Sequence, residues 1–350
     1  MKILILKPSS LGDVIQALPV LRLLRLHFSA ANIFWWIDAK LAPLLEGDPD
    51  LAGIVRFERD RWATPRHWPE VVRSVQWMRR QKFDLVIDLQ SLIRSGAFAW
   101  LANGKFLVGL DDSREGARGF YDVAIRRSTF RTHAVDWYLA ALPKLGVPVH
   151  WNFQWLPERP QVAADVKRKW LEKFRITNHE SRTLKWIAIQ PGARWPNKRW
   201  PVEFFAELTR LLSRKFAGAC FVILGSEQDR PLGETISRLE PECCLNLCGQ
   251  TSLQEMVECL RLCDLMITND TGPMHAAAAL GKPLVALFGP TEPCRTGPYG
   301  QLDSVLRIDL PCSPCLKSRC HYEKPNECLN AISPPLVAEM AAEKLQIGKE

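Results

Sequence analysis

Four short segments carry the residue types that act on phosphorylated ligands. Lys7-Pro8-Ser9-Ser10-Leu11-Gly12-Asp13 joins an apolar run to a helical pattern and puts Asp13 at or near a helix N-terminus. The positive end of the helix dipole keeps such a carboxylate ionised, and an ionised carboxylate can take a proton from an attacking hydroxyl. Gln190-Pro191-Gly192-Ala193, followed by Arg194-Trp195-Pro196-Asn197-Lys198-Arg199-Trp200, offers Lys198 as a charge partner for a diphosphate, most of all when that diphosphate leaves. Gly225-Ser226-Glu227-Gln228-Asp229 follows another apolar run, and a carboxylate there can hold the hydroxyls of a ribose. Asn269-Asp270-Thr271-Gly272-Pro273-Met274-His275 links the strand-like Leu265–Thr268 to a run of alanines. That order reads as strand, polar turn and closely packed helix, whose N-terminus is a ready-made phosphate site.

Each segment also suits a plain structural role. Asp13 can cap its helix, Lys198 can sit on an exposed basic loop, and Asp229 can cap a helix. Gly272 can supply a positive φ while the alanines pack. Arginines gather at Arg56, Arg59, Arg61 and Arg66 and again at Arg114, Arg118, Arg126, Arg127 and Arg131, either for an acidic partner or as a solvated face. Cys312, Cys315, Cys320 and Cys328, with His321 beside Cys320, have the density of a structural metal site, but their spacing departs from paired Cys-x-x-Cys ribbons. Asp48-Pro49-Asp50 has the look of a carboxylate clamp on a loop.

The elements that must position these residues alternate along the chain. Strand-like runs at Lys2–Lys7, Asn32–Ile37, Phe83–Leu89 and Phe106–Leu110 are separated by helical patterns, the rhythm of a parallel α/β sheet. The rhythm fades near 148–183 and resumes at Trp186–Gln190, Ala219–Leu224, Cys244–Leu247, Leu265–Thr268 and Pro283–Phe288. The expected organisation is a domain over 1–160, a linker over 161–184 containing a charged helix, a second domain over 185–330, and a C-terminal helix in 331–350 packing back on the first domain. Ligands of open α/β sheets bind outside the carboxyl ends of strands, where all four segments fall. Neither half opens with Gly-x-Gly-x-x-Gly, and no Gly-Lys-Ser/Thr phosphate loop occurs, which weighs against dinucleotide dehydrogenases and P-loop NTPases.

Bulk properties agree. At 350 residues the chain exceeds the size at which single cores stop growing. A net charge of +8 favours acidic partners such as phosphates, anionic lipid or nucleic acid. No recognised nucleic-acid motif accompanies that charge, so no nucleic-acid partner is expected. The apolar stretch Ile3–Leu6 stops at Lys7, too short for a signal-peptide core. The expected location is cytoplasmic, with room for peripheral contact at the inner face of the inner membrane.

Together these residues resemble glycosyltransferase family 9, which holds the lipopolysaccharide heptosyltransferases. Lys7–Asp13 is similar to its Ser-Ser-x-Gly-Asp signature, Asp270–His275 to its Asp-Thr-Gly-x-x-His signature, and Phe288-Gly289-Pro290-Thr291 to a further family run. The cysteine cluster looks more like second-heptosyltransferase members than first ones. The resemblance implies a GT-B fold, two facing Rossmann-like domains with a cleft between them. It implies inverting, cofactor- and metal-independent transfer of heptose from ADP-L-glycero-D-manno-heptose to the acidic lipopolysaccharide inner core. By motif position it makes Asp13 the general base. Lys198, Asp229, Thr251, Asp270, Thr271, Gly272 and His275 become donor ligands, and Ser10, Gly12, Arg61 and Arg114 acceptor ligands. Rival readings are a same-fold transferase with another nucleotide sugar or acceptor, and a non-catalytic nucleotide-binding protein.

Overall fold

The apolar runs become the strands of two parallel sheets. A computed structural model gives the structure and describes residues 1–112, 115–176 and 184–347. The chain divides into two compact units, Met1–Pro157 and Glu158–Glu350. In the first, β1 (Lys2–Leu6), β2 (Asn32–Asp38), β3 (Gly53–Phe57), β4 (Leu85–Asp88), β5 (Phe106–Asp111) and β6 (Val123–Arg126) pair in the order β3-β2-β1-β4-β5-β6. In the second, β7 (Lys185–Gln190), β8 (Ala219–Ile223), β9 (Cys244–Asn246), β10 (Leu265–Asn269), β11 (Leu284–Phe288) and β12 (Val305–Arg307) repeat that connectivity as β12-β11-β10-β7-β8-β9. All recorded pairings are parallel.

The central strands are covered on both faces, so they read as unbroken apolar runs rather than alternating ones. Every residue of β8, β10 and β11 is buried. β3, β6 and β12 lie at sheet edges and are half-exposed, so they lack an unbroken apolar run. In each sheet the chain turns back at one point, between β1 and β4 and between β7 and β10. The turns leaving those strands therefore open where parallel α/β sheets bind ligands.

Two expected boundaries need correction. The charged helix of the predicted linker, Pro160–Phe174, is part of the second unit: it packs along the Leu253–Leu262 helix, and its Trp170 ring lies 5.0 Å from that of Trp186. Residues 177–183 of that linker lie outside the described residues. The C-terminal helix Pro334–Ile347 packs on the Val202–Lys215 helix and against β10 and β11. Its Val337 and Ala341 are fully buried in the second unit's core, which its apolar face helps to build. The Asp48-Pro49-Asp50 carboxylates are not a clamp for an ion. They clasp Arg22: Nη1 donates to Asp48 Oδ1 at 2.7 Å and Asp50 Oδ2 at 2.6 Å, Nη2 to Asp48 Oδ2 at 2.5 Å, and Trp155 O accepts from both Nε and Nη2.

Candidate active site

β1 runs straight into the Lys7–Asp13 turn, and Ser10 is the N-cap of the buried helix Leu11–His27. Asp13 occupies the third helical position. Its Oδ2 accepts the Ser10 N–H at 2.9 Å and the Ser10 hydroxyl at 2.6 Å, which closes the cap. The capping role is thus real, but it uses one oxygen. Oδ1 accepts the Tyr138 hydroxyl at 3.1 Å and lies 3.8 Å from Lys7 Nζ. The Asp13 side chain is enclosed on most sides yet keeps 37% of its surface accessible. Burial alone would raise its pKa. The Lys7 ammonium, the two Ser10 donors and the Tyr138 hydroxyl outweigh that and hold the carboxyl below its ordinary value. Asp13 is a carboxylate at neutral pH.

Lys7 is itself held deep in the unit. Its Nζ donates to Leu89 O at 2.9 Å and stands 4.7 Å above the Tyr138 ring. Burial lowers its pKa, while Asp13 and Asp88 act the other way. Asp88, at the end of β4, is fully buried and accepts from Gln90 N, Ser95 Oγ and Tyr121 OH, each at 2.8 Å. Burial raises its pKa against those donors. The Tyr121 ring lies across Gly109, the β5 partner of Asp88, where any Cβ would fall 2.3 Å from the ring.

The arginine that reaches this turn is Arg59. Its Nη2 donates to Ser9 Oγ at 2.5 Å, and its Nε lies 3.5 Å from Asp38. Arg61, expected beside the acceptor, is paired with Glu70 at 2.6 Å. Arg114 lies outside the described residues. Ser10 is exposed at the turn, and Gly12 is buried in the first turn of the helix.

In the second unit, three loops meet around Asp270. Its Oδ2 accepts from Lys198 Nζ at 2.5 Å and from Thr291 Oγ1 at 2.6 Å. Lys198 Nζ also stands 4.7 Å above the Trp195 ring. Asn269 fastens the loops together: Oδ1 accepts from Trp200 N at 3.1 Å and Nδ2 donates to Pro191 O at 2.7 Å. Thr271 is the N-cap of the helix Gly272–Ala279, yet its hydroxyl makes no cap bond. Thr271 Oγ1 and Gln190 Oε1 are both buried without a hydrogen-bond partner. Buried polar atoms are nearly always paired, so these two keep hydrogen-bonding capacity to spare at the turn. Gly272 begins the helix and is not among the positive-φ glycines, so the plain structural role of a left-handed turn does not apply to it. His275 is buried inside the helix.

Asp229 repeats the Asp13 cap, with Oδ2 accepting from Ser226 N at 2.9 Å and Ser226 Oγ at 2.7 Å. It is only 7% exposed, and the open carboxylate on that turn is Glu227. Thr251 is half-buried, directly before the Ser252 cap of the Leu253–Leu262 helix.

Residues 71–325 match the model of glycosyltransferase family 9 (heptosyltransferase). The chain belongs to glycosyltransferase family 9. It is 30% identical over 337 residues to lipopolysaccharide heptosyltransferase 1 of Pseudomonas aeruginosa, covering 93% of this chain and 89% of that one. It is 29% identical over 322 residues to lipopolysaccharide heptosyltransferase 2 of Salmonella typhimurium, covering 88% of each. Among solved structures it is similar to the Escherichia coli ADP-heptose lipopolysaccharide heptosyltransferase II, with a TM-score of 0.77, 25% identity and full coverage of both chains. Its two parallel-sheet units match that GT-B-type architecture, and family membership makes the chain an enzyme.

Within this family 9 glycosyltransferase, sequence reasoning did not single out Tyr138, Asp88 or Thr291 beside the two turns, and named Arg59 only within its arginine cluster. The Thr291 run was noticed only through the resemblance, and Tyr138 and Asp88 had no local signal. The cysteines Cys312, Cys315, Cys320 and Cys328 line one cavity of about 20 Å³. Burial and the three neighbouring sulfurs push the Cys328 thiol up to about 11. Among the described residues no three His, Cys, Asp or Glu side chains converge as metal ligands. No helix among them is long and apolar enough to cross a membrane.

Proposed function

We propose that this glycosyltransferase moves L-glycero-D-manno-heptose from ADP-heptose to a hydroxyl of the lipopolysaccharide inner core, with inversion, and that Asp13 is its general base. The observation that carries the reading is the Asp13 carboxylate, held ionised by Lys7, Ser10 and Tyr138 while part of it stays open. The named activities of the Pseudomonas, Salmonella and Escherichia relatives support the donor and acceptor.

The acceptor hydroxyl gives its proton to Asp13 as its oxygen bonds to the anomeric carbon. The bond from that carbon to the diphosphate breaks, and its electron pair leaves on the phosphate oxygen. A carboxylate with a lowered pKa is a modest base, so proton transfer is late, when the attacking oxygen has become acidic. Growing charge on the diphosphate is met by Lys198, the Thr271 hydroxyl and the amide groups at the start of the Gly272–Ala279 helix. Asp270 does not bind the diphosphate in this scheme. It aims Lys198, and Thr291 steadies Asp270. The ribose falls to the Ser226–Asp229 turn, with Glu227 as its open carboxylate and Asp229 as the brace. Thr251 stands at the adenine and His275 supports the turn from within the helix. Ser10, Gly12, Arg61 and Arg114 remain the acceptor side, joined by Arg59.

The test is Asp13→Asn, which keeps the size of the side chain and an oxygen to accept from Ser10. Turnover of ADP-heptose with a lipopolysaccharide-core acceptor should fall by ~10²–10⁴, with ADP affinity unchanged. Near-normal turnover would remove Asp13 as the base. A parallel screen with UDP- and GDP-sugars tests the donor assignment, and faster transfer from either would overturn it.

A further inference from the structure

The first unit carries a groove of which the transfer scheme uses only Arg59, at one end. It encloses about 630 Å³, within the ~300–1,000 Å³ typical of small-ligand pockets. Its apolar lining is Phe57, Trp62, Trp68, Val71, Val72 and Phe98. The floor is fixed by ring packing: Phe57 lies 4.5 Å from Trp36, and Trp62 stacks on Phe98 at 6.0 Å. One wall is open, with Trp68 59% and Val72 53% exposed. Apolar side chains left bare beside a preformed hollow mark a binding surface.

The charged residues at the groove decide which ligand fits. Asp60 is matched by Lys40 at 2.6 Å. Arg59 reaches from the groove to Ser9, in the turn that holds Asp13. Arg94 lies over the Phe57 ring at 5.2 Å and makes no ion pair among the described residues. Glu115, the nearby acid, accepts from Ile93 N. The groove thus offers an apolar trough with a guanidinium that makes no direct ion pair among the described residues and feels only the more distant charges of Glu115 and Asp38, joined through Arg59 to the base-bearing turn. Its lining mixes aliphatic Val71 and Val72 with aromatic rings, a wall that packs on an alkyl chain. An alkyl chain ending in an anionic group matches both parts.

We infer that this groove holds an acyl chain of the acceptor, with an anionic group of the same molecule at Arg94 and Arg59. The inference rests on the reading that the Asp13 turn receives a lipid-linked acceptor. Equilibrium dialysis of the full-length protein with tetradecyl phosphate, below its micelle concentration, tests the groove without any donor. One molecule per chain should bind, while inorganic phosphate and tetradecyl maltoside bind at least tenfold more weakly. Val72→Asp and Arg94→Gln, both at exposed positions, should each weaken tetradecyl phosphate binding at least tenfold with an unchanged unfolding midpoint. Equal binding by wild type and Val72→Asp, or equal binding of the maltoside, overturns the inference. In turnover, Val72→Asp should raise KM for an acylated acceptor at least tenfold more than for its de-acylated form, with kcat maintained. An unchanged KM ratio combined with lost binding to phosphatidylglycerol vesicles would assign the groove to bulk membrane, and with retained vesicle binding to a protein partner. Either overturns the acceptor assignment. Failure of all transfer from ADP-heptose, with tetradecyl phosphate still bound, would fault the proposed reaction and leave the groove standing.

Discussion

Lys198→Met separates two jobs that the structure assigns to one ammonium. Lys198 Nζ is bonded to Asp270 at 2.5 Å, and the side chains are 17% and 6% exposed. The methionine keeps an unbranched stem against Trp195 but leaves Asp270 with Thr291 as its remaining side-chain donor. Removing one partner of a buried pair costs about 3–5 kcal/mol, because the other charge is left uncompensated. The Thr291 bond and the partial exposure of Lys198 place this case at about 3 kcal/mol, readable by urea unfolding. The second loss is catalytic. A preorganised donor aimed at developing charge is worth ~10²–10³ in kcat. The double variant Lys198→Met/Asp270→Asn distinguishes them. Its amide no longer bears a charge and still accepts from Thr291, so most of the lost stability returns. Turnover does not return, because the ammonium that met the leaving diphosphate is still missing. If the double variant regains turnover along with stability, Lys198 serves only to neutralise Asp270, and the leaving-group argument fails.

Three further outcomes follow from the same geometry. Arg22→Met should destabilise the first unit by ~3–5 kcal/mol, since it strands the fully buried Asp48, and Arg22→Met/Asp48→Asn should recover much of that in denaturant unfolding. Gly109→Ala should cost ~1–3 kcal/mol by overpacking, because its Cβ would fall 2.3 Å from the Tyr121 ring; an unchanged unfolding midpoint would mean that the ring does not need that space. Asp13 has a lowered pKa, so its contribution to stability is present above the unfolded carboxyl value of ~3.9 and is lost as pH falls through the lower folded value. For activity the same sign means no acid limb from Asp13 near neutrality. Lys7→Met removes the nearest positive charge and should move the acid limb of kcat/KM upward; a limb that stays put would show that Ser10 and Tyr138 suffice.

What the sequence made legible follows burial. Ile3–Leu6 and Leu265–Ile267 are covered on both faces, so their residue types alone betray central strands. Gly53–Phe57 and Val305–Arg307 are edge strands, half-exposed and short, and their pattern is that of many loops. Asp13 was legible because its partner Ser10 lies three residues away in one turn. Tyr138 donates to the same carboxylate from 125 residues further along, and only the folded unit brings it there. Asp88 ends an apolar run that already had a sufficient reading as a strand. That Arg59 and not Arg61 donates to Ser9 has a geometric reason. Which of two arginines on one short helix faces Ser9 depends on the helix's rotation on the sheet, and their spacing in the sequence does not encode that rotation.

The Ser-x-x-Asp cap shows how little a motif decides by itself. It is built twice in this chain, at Ser10–Asp13 and Ser226–Asp229, with the backbone bond at 2.9 Å in both. By cap geometry the two aspartates are indistinguishable. Their surroundings differ. Gly192 and Gly225 press against Asp229 so closely that a Cβ on either would fall 2.4 or 2.8 Å from its side chain. That carboxylate is walled in, and its free oxygen has no room to receive a proton from a substrate. Asp13 meets a tyrosine hydroxyl and an ammonium instead of glycine backbone, and more than a third of its surface is open. One oxygen holds the helix and the other meets Tyr138 and Lys7, on a side chain that stays partly open. The cap fixes where the carboxylate points, and its neighbours determine whether that direction leads to chemistry or to packing.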